Sequence, residues 1–163
     1  MDGKPVVGFV GLGTIGGPMA RNIVRKGFPL VVFDLDQRKV AELLAEGAKG
    51  RATAAEVAVA SDIVITMVPD APDVEKAALG AGGIIEGIRP GSIYVDMSTV
   101  DPGTTRKVGA RIAEKGARMV DAPVARTVEN ARAGTLAIMT GGDPADVEAV
   151  MPVLRTMGDT FTH

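Results

Sequence analysis

Gly8-Phe9-Val10-Gly11-Leu12-Gly13-Thr14-Ile15-Gly16 places a G-x-G-x-x-G turn directly after the apolar run Val6-Val7-Gly8-Phe9-Val10 and directly before an amphipathic helical stretch. A strand, a glycine turn and a helix in that order form the setting in which such a turn holds a dinucleotide. Each glycine has its own steric reason. Gly11 lets the chain turn sharply as it leaves the strand, Gly13 removes the Cβ that would keep the backbone from a pyrophosphate, and Gly16 lets helix and strand pack closely. The helix points unpaired N–H groups and the positive end of its dipole at the site, so two phosphates dock without a basic residue in the loop.

Glycine makes up 21 of 163 residues, so the pattern alone is weak and its surroundings decide. The next strand, Leu30-Val31-Val32-Phe33, ends at Asp34, 18 residues beyond Gly16, close to where the fingerprint expects an acid. A carboxylate there accepts hydrogen bonds from both hydroxyls of an adenosine ribose, whereas a 2′-phosphate meets like-charge repulsion of about several kcal/mol. The reading favours NAD over NADP. The plainer alternative is that Asp34 only ends a strand; Asp36 fits the cap of the next helix, and Arg38 and Lys39 stand close by.

Composition narrows the rest. The length suits one domain with a sizeable core. A net charge of -2, with positive residues scattered singly or in pairs, gives no basic field for nucleic acid. With no cysteine there is neither a disulfide framework nor a thiolate metal site. The single histidine, His163, leaves any histidine-based triad or metal site without its parts. The sequence shows no apolar stretch of about 18 residues and no signal-peptide pattern, so the expectation is a cytoplasmic protein with no membrane partner.

Apolar runs alternate with helical-period segments from end to end, which predicts an α/β fold: a doubly wound, mostly parallel, Rossmann-type sheet with helices on both faces. Strands are expected at about 5–10, 29–34, 62–68, 92–97, 118–122, 135–140 and 159–162, with helices filling most of the gaps. The first helix, about 14 to 26, buries Ile15, Met19 and Ile23 and stops at Gly27. A second, from about 37 to 46, carries Val40, Leu43 and Leu44 on one face, leaving Arg38, Glu42 and Glu46 to solvent. Loops at strand C-terminal ends border the ligand crevice of such sheets. Val68 and Pro69 therefore belong beside the cofactor, although strand termination explains them equally well. Ser98 and Thr99 bring two hydroxyls to the same rim, and either Thr99 or Asp101 suits the cap of a helix over 103–115.

Four blocks in order along the chain resemble the β-hydroxyacid dehydrogenase family: Gly8 to Ala20, Met67-Val68-Pro69-Asp70, Asp96-Met97-Ser98-Thr99-Val100-Asp101-Pro102, and Asp121-Ala122-Pro123-Val124 leading to Gly134-Thr135-Leu136. The resemblance implies an NAD-binding domain whose pyrophosphate site is the turn Gly11, Leu12, Gly13, Thr14, Ile15 and Gly16, with Thr14 and Ile15 acting through their backbone. It further implies Asp34 on the adenosine ribose, Val68 and Pro69 on the nicotinamide side, Thr99 on the cofactor and Ser98 facing the substrate. The partner is then a short-chain hydroxy acid or its semialdehyde, and the full-length protein a homo-oligomer.

Two departures from the family pattern matter. Most members follow D-x-P-V with Ser-Gly-Gly, whose N–H groups help hold the substrate carboxylate; here Ala125-Arg126-Thr127 stands instead. Arg126, with Thr127 beside it, would grip an acid head group in a charge-assisted, bidentate way. Pro-Val-Ala-Arg-Thr resembles the branch containing sulfolactaldehyde reductase, where the arginine meets a sulfonate, but Val128 replaces that branch's serine. The plainer reading pairs Arg126 with Glu129 or Asp121 on a surface turn. The family's proton-transferring lysine is expected beyond His163, together with a C-terminal helical domain, so no catalytic residue is assigned within residues 1–163. The expectation is thus a cofactor-binding domain, inactive alone, of an oxidoreductase acting on 3-hydroxyisobutyrate- or sulfolactaldehyde-type substrates. A non-catalytic nucleotide-binding or partner-docking module and a 6-phosphogluconate dehydrogenase relative are the alternatives.

Overall fold

A computed structural model describes residues 3–163. Residues 5–10 and 29–34 are expected strands, and β1 (Val7–Val10) and β2 (Leu30–Phe33) fall inside them, followed by β4 (Ile63–Thr66), β5 (Ile93–Asp96) and β6 (Arg118–Asp121) at the other expected positions. A two-residue strand, β3 (Lys49–Gly50), completes a sheet in the order β3-β2-β1-β4-β5-β6 with every pairing parallel. The chain moves outward from β1 in one direction through β2 and β3, then in the other through β4, β5 and β6. The order therefore reverses between β1 and β4, and the crevice of a doubly wound sheet opens there, at the strand C-terminal ends.

Alternation along the strands sends their side chains to two cores. Val7, Phe9, Val32, Ile65 and Val95 pack with Met19 and Ile23 of α1 (Gly16–Arg25), Leu43 of α2 (Gln37–Leu44) and Val150 of α7 (Pro144–Leu154). Val10, Val31, Val64 and Tyr94 pack with Val57 of α3 (Ala54–Ala60), Val74 of α4 (Ala71–Leu79) and Val108 and Ile112 of α5 (Pro102–Glu114). Each fully buried Val, Ile or Phe contributes roughly 1.5–3 kcal/mol. As expected, Gly27 ends α1, at φ +94. Asp36 caps α2 by accepting a hydrogen bond from the Arg38 N–H at 3.0 Å. Glu46, expected to be available to solvent, lies on the surface and pairs there with Arg21 and with the exposed Arg25, tying α1 to the end of α2; Arg25 Nε donates to Glu46 at 2.8 Å.

Residues 135–140 and 159–162 form strands but do not extend the main sheet. They are β8 (Leu136–Met139) and β9 (Gly158–Thr162), which join the short β7 (Val124–Ala125) in a separate sheet of order β7-β8-β9. Pro123 accounts for the departure. Ala122 makes the last ladder bond, N–H to Asp96 O at 2.8 Å, and the next residue has no N–H to give, while its carbonyl accepts from Met139 N–H at 3.0 Å. The chain thus passes from β6 into a hairpin-like pairing with β8, spanned by α6 (Val128–Ala133).

Candidate coenzyme site

A cleft of about 670 Å³ lies at the reversal point of the sheet. Gly11, Gly13, Thr14, Ile15 and Gly16 form its floor, Asp34 and Leu35 one end, and Val68, Pro69 and Thr99 the other, with Lys76 and Gly82 on the wall. Of the residues expected to hold a cofactor, all but Leu12 line this space. Leu12 is buried, and its N–H donates to Asp34 Oδ2 at 2.6 Å.

The three glycines divide as their steric reasons require. Gly11 adopts φ +102, and a Cβ there would collide with the Met67 carbonyl. At Gly16 a Cβ would collide with the Gly11 carbonyl and crowd the Phe9 ring. At Gly13 a Cβ would meet nothing within 4 Å. The protein itself gains no packing from that missing atom, so what the glycine keeps open is the cleft. The adjoining helix is open too. Six α-helices of the described residues begin on an Asp or Thr N-cap (Asp36, Thr53, Asp70, Asp101, Thr127, Asp143), whereas α1 begins on Ile15 with no side-chain cap and no acidic residue in its first turn. Gly17 N–H reaches Gly13 O at 2.9 Å and Pro18 has no N–H, so the N–H groups of Thr14, Ile15 and Gly16 are the ones left for an anion. These two features fit the diphosphate of a dinucleotide.

Asp34 has work inside the fold. Besides Leu12 N–H, it accepts the Asp36 N–H at 2.8 Å, so it braces the glycine turn against the start of α2. Each oxygen of a carboxylate has more than one acceptor direction, so neither bond removes its capacity to accept from a sugar. The nearby Arg38 pairs with Asp36, not Asp34, at 3.2 Å. Of the two candidates for the α5 cap, Asp101 takes the position, accepting the Thr104 N–H at 3.0 Å, and Thr99 is left at the cleft.

The expected substrate residues are placed differently. Ser98 is fully buried rather than facing open space; its Oγ accepts the Val68 N–H at 2.9 Å. Arg126 pairs with neither Glu129 nor Asp121. Its Nη1 donates to Thr135 O at 2.7 Å and to Asp159 at 3.0 Å, and its Nη2 donates to Thr160 Oγ1 at 2.9 Å. Its backbone lies at φ +95, a left-handed conformation that favours glycine, at the position where the family pattern has one. Thr127 caps α6, with its hydroxyl donating to Asn130 Oδ1 at 2.8 Å. Ser98, Arg126 and Thr127 are not among the residues lining the cleft.

Beneath the rim lies a polar cluster that the sequence did not announce. Asp96 is completely buried, and its Oδ1 accepts the Thr66 hydroxyl at 2.8 Å and the Ser98 N–H at 3.1 Å. Thr66 Oγ1 lies 2.6 Å from the hydroxyl of Tyr94, also buried. Among the described residues Asp96 Oδ2 has no hydrogen-bond partner. Burial raises the Asp96 pKa against the pull of its hydrogen bonds, and burial also raises that of Tyr94. On the neighbouring strand Asp121 is in register with Asp96, and loss of solvent together with the Asp96 charge raises its pKa to about 6.

Comparison with known proteins gives the family of the chain. Residues 6–163 match the family described as the NAD binding domain of 6-phosphogluconate dehydrogenase, and the chain belongs to that family. Among its relatives are β-hydroxyacid dehydrogenases. It is 42% identical to 2-(hydroxymethyl)glutarate dehydrogenase of Eubacterium barkeri over 100% of this chain and 54% of that protein. To 3-sulfolactaldehyde reductase of Escherichia coli it is 39% identical, covering 96% of this chain and 53% of the relative. The solved structure of Mycobacterium tuberculosis 3-hydroxyisobutyrate dehydrogenase with L-serine superposes with a TM-score of 0.92 at 32% identity, over 98% of this chain and 54% of that one. The chain spans about half the length of the curated relatives it matches.

Proposed function

We propose that this chain is the coenzyme-holding part of an NAD-dependent oxidoreductase that interconverts a short-chain hydroxy acid and its semialdehyde. The observation that carries the reading is Gly13, whose absent side chain faces open space in a turn where the neighbouring glycines are fixed by packing. The N–H groups at the start of α1 hold the diphosphate, and Asp34 takes the adenosine ribose and disfavours a 2′-phosphate. Val68, Pro69 and Thr99 then receive the nicotinamide half. When bound, the nicotinamide gives or takes the hydride. Proton transfer to the substrate oxygen is assigned to a lysine outside residues 1–163.

Relatives that include a sulfolactaldehyde reductase support an acid-bearing substrate, as does the partly exposed side chain of Arg126. Its ties to Thr135, Asp159 and Thr160 use Nη1 and Nη2 but not Nε, so part of the fork remains for an oxyanion. In this reading Ser98 contributes by shaping the rim and Thr127 by setting the start of α6. The complete protein is expected to be a cytoplasmic homo-oligomer.

Calorimetric titration of the chain with NADH tests the central claim. Saturable binding is expected in the parent chain. Gly13→Ala should keep the melting temperature within about 2 °C, because its methyl touches no protein atom, yet weaken NADH by at least about tenfold. A folded parent chain that does not bind NADH, or a Gly13→Ala chain that binds it equally well, overturns the proposal.

A further inference from the structure

The loop that follows β4 is fixed at two points. Met67 N–H reaches Val10 O at 3.0 Å, an ordinary continuation of the ladder. The next residue, Val68, has left the sheet, and its N–H is held instead by the Ser98 hydroxyl. Ser98 is in turn held by Asp96, which accepts its N–H, and Asp96 also fastens the last residue of β4 through the Thr66 hydroxyl. One buried carboxylate therefore ties the end of β4 to the segment after β5, and the loop between them forms the wall of the cleft. The same loop backs the glycine turn, because the Met67 carbonyl and a Val68 methyl group stand where a Cβ at Gly11 would be.

Packing alone does not account for a carboxylate at this position. Apolar residues of similar volume would fill the space without leaving Asp96 Oδ2 buried and unpartnered. What Asp96 alone provides is an oxygen that two donors on different elements share, and the outcome of that sharing is the position of Val68. We infer that Asp96 is the positioning residue for the nicotinamide end of the cleft, acting through Ser98 on the backbone of Val68. The inference rests on the proposed placing of the nicotinamide against Val68 and Pro69. The adenosine end is built from Asp34 and Leu35 on the far side of β1 and shares no hydrogen bond with the Asp96 cluster.

The two ends can be read separately with NADH and ADP-ribose, which lacks the nicotinamide. Both are titrated calorimetrically into the parent chain and into Asp96→Ala, Ser98→Ala and Asp96→Asn. Asp96→Ala and Ser98→Ala should weaken NADH by about tenfold while ADP-ribose stays within about twofold, as expected for one lost anchoring hydrogen bond at one end. Asp96→Asn keeps the accepting Oδ1 and should bind both ligands within about threefold of the parent. If Asp96→Ala does not fold, Ser98→Ala carries the same comparison. Equal weakening of both ligands, no weakening of either, or an Asp96→Asn chain as impaired as Ser98→Ala would overturn the inference. A parent chain that binds neither ligand would instead defeat the reading of the cleft itself.

Discussion

Replacing Asp96 by Asn should make the protein more stable at neutral pH, although it alters a completely buried hydrogen-bonded side chain. Asn keeps the oxygen that accepts from Thr66 and Ser98, and it puts an amide where the unpartnered Oδ2 lies. It also removes a negative charge beside Asp121, whose pKa now stands at about 6. The direction of the effect follows from linkage. A carboxyl whose folded pKa is raised binds more protons in the native state than in the unfolded one. Its contribution is therefore complete below the unfolded value near 3.8 and is lost as pH rises through about 6. At about 1.4 kcal/mol per pKa unit the full Asp121 shift would be about 3 kcal/mol, but its larger cause is desolvation, which the substitution does not relieve, so with half-exposure the Asp96 charge accounts for about 1 kcal/mol or less. Asp96 is shifted in the same direction, so its own loss has the same sign. The assay is urea unfolding of the parent and Asp96→Asn chains from pH 4 to pH 7.5. The two should be close at pH 4, and the variant should be ahead by about 1 kcal/mol at pH 7. In the variant, an NMR titration should place Asp121 nearer the ordinary carboxylate range. A variant less stable at pH 7, with an unchanged difference across the range, would refute the reasoning.

Other substitutions test separate parts of the structure. Gly16→Ala pushes a methyl into the Gly11 carbonyl and should destabilise the fold by at least about 2 kcal/mol in chemical denaturation, in contrast to the silent methyl expected at Gly13. Arg126→Gly should be more stable than Arg126→Ala by about 1 kcal/mol, since both lose the ties to Asp159 and Thr160 but only glycine relieves φ +95; equal urea midpoints would count against strain at this residue. Asp34→Ala should lower the ratio of NAD to NADP affinity by at least about tenfold. An unchanged ratio in parallel titrations would show that this carboxylate is not the selector.

Much of the architecture was legible because its signals are local. A glycine turn between an apolar run and an amphipathic helix needs only neighbouring residues to be recognised, and Asp34 follows at a fixed distance. The two-residue strand β3, Lys49–Gly50, carries no apolar run and exists because β2 offers a free edge. The second sheet was missed for a related reason: residues 135–140 look like any other buried strand, and only their partners tell them apart. Within the site, the cleft-lining positions followed from loops at strand ends. The partner of Arg126 did not, since Asp159 is 33 residues away, on β9. Nor did the burial of Ser98 or the hub at Asp96, which depend on β4, β5 and β6 lying side by side. Two signals in the sequence lie there: Asp96 and Asp121 each stand one residue before the end of an expected strand, over 92–97 and 118–122, and the chain's single tyrosine lies two residues before Asp96.

The backing of the glycine turn by Met67 and Val68 has a thermodynamic consequence. With both sides of the crevice braced against each other by backbone contacts and a buried carboxylate, docking meets a surface whose shape is already set. Little chain entropy is then surrendered on association. The heat-capacity change should accordingly be small, reflecting the area covered by the ligand and no coupled folding.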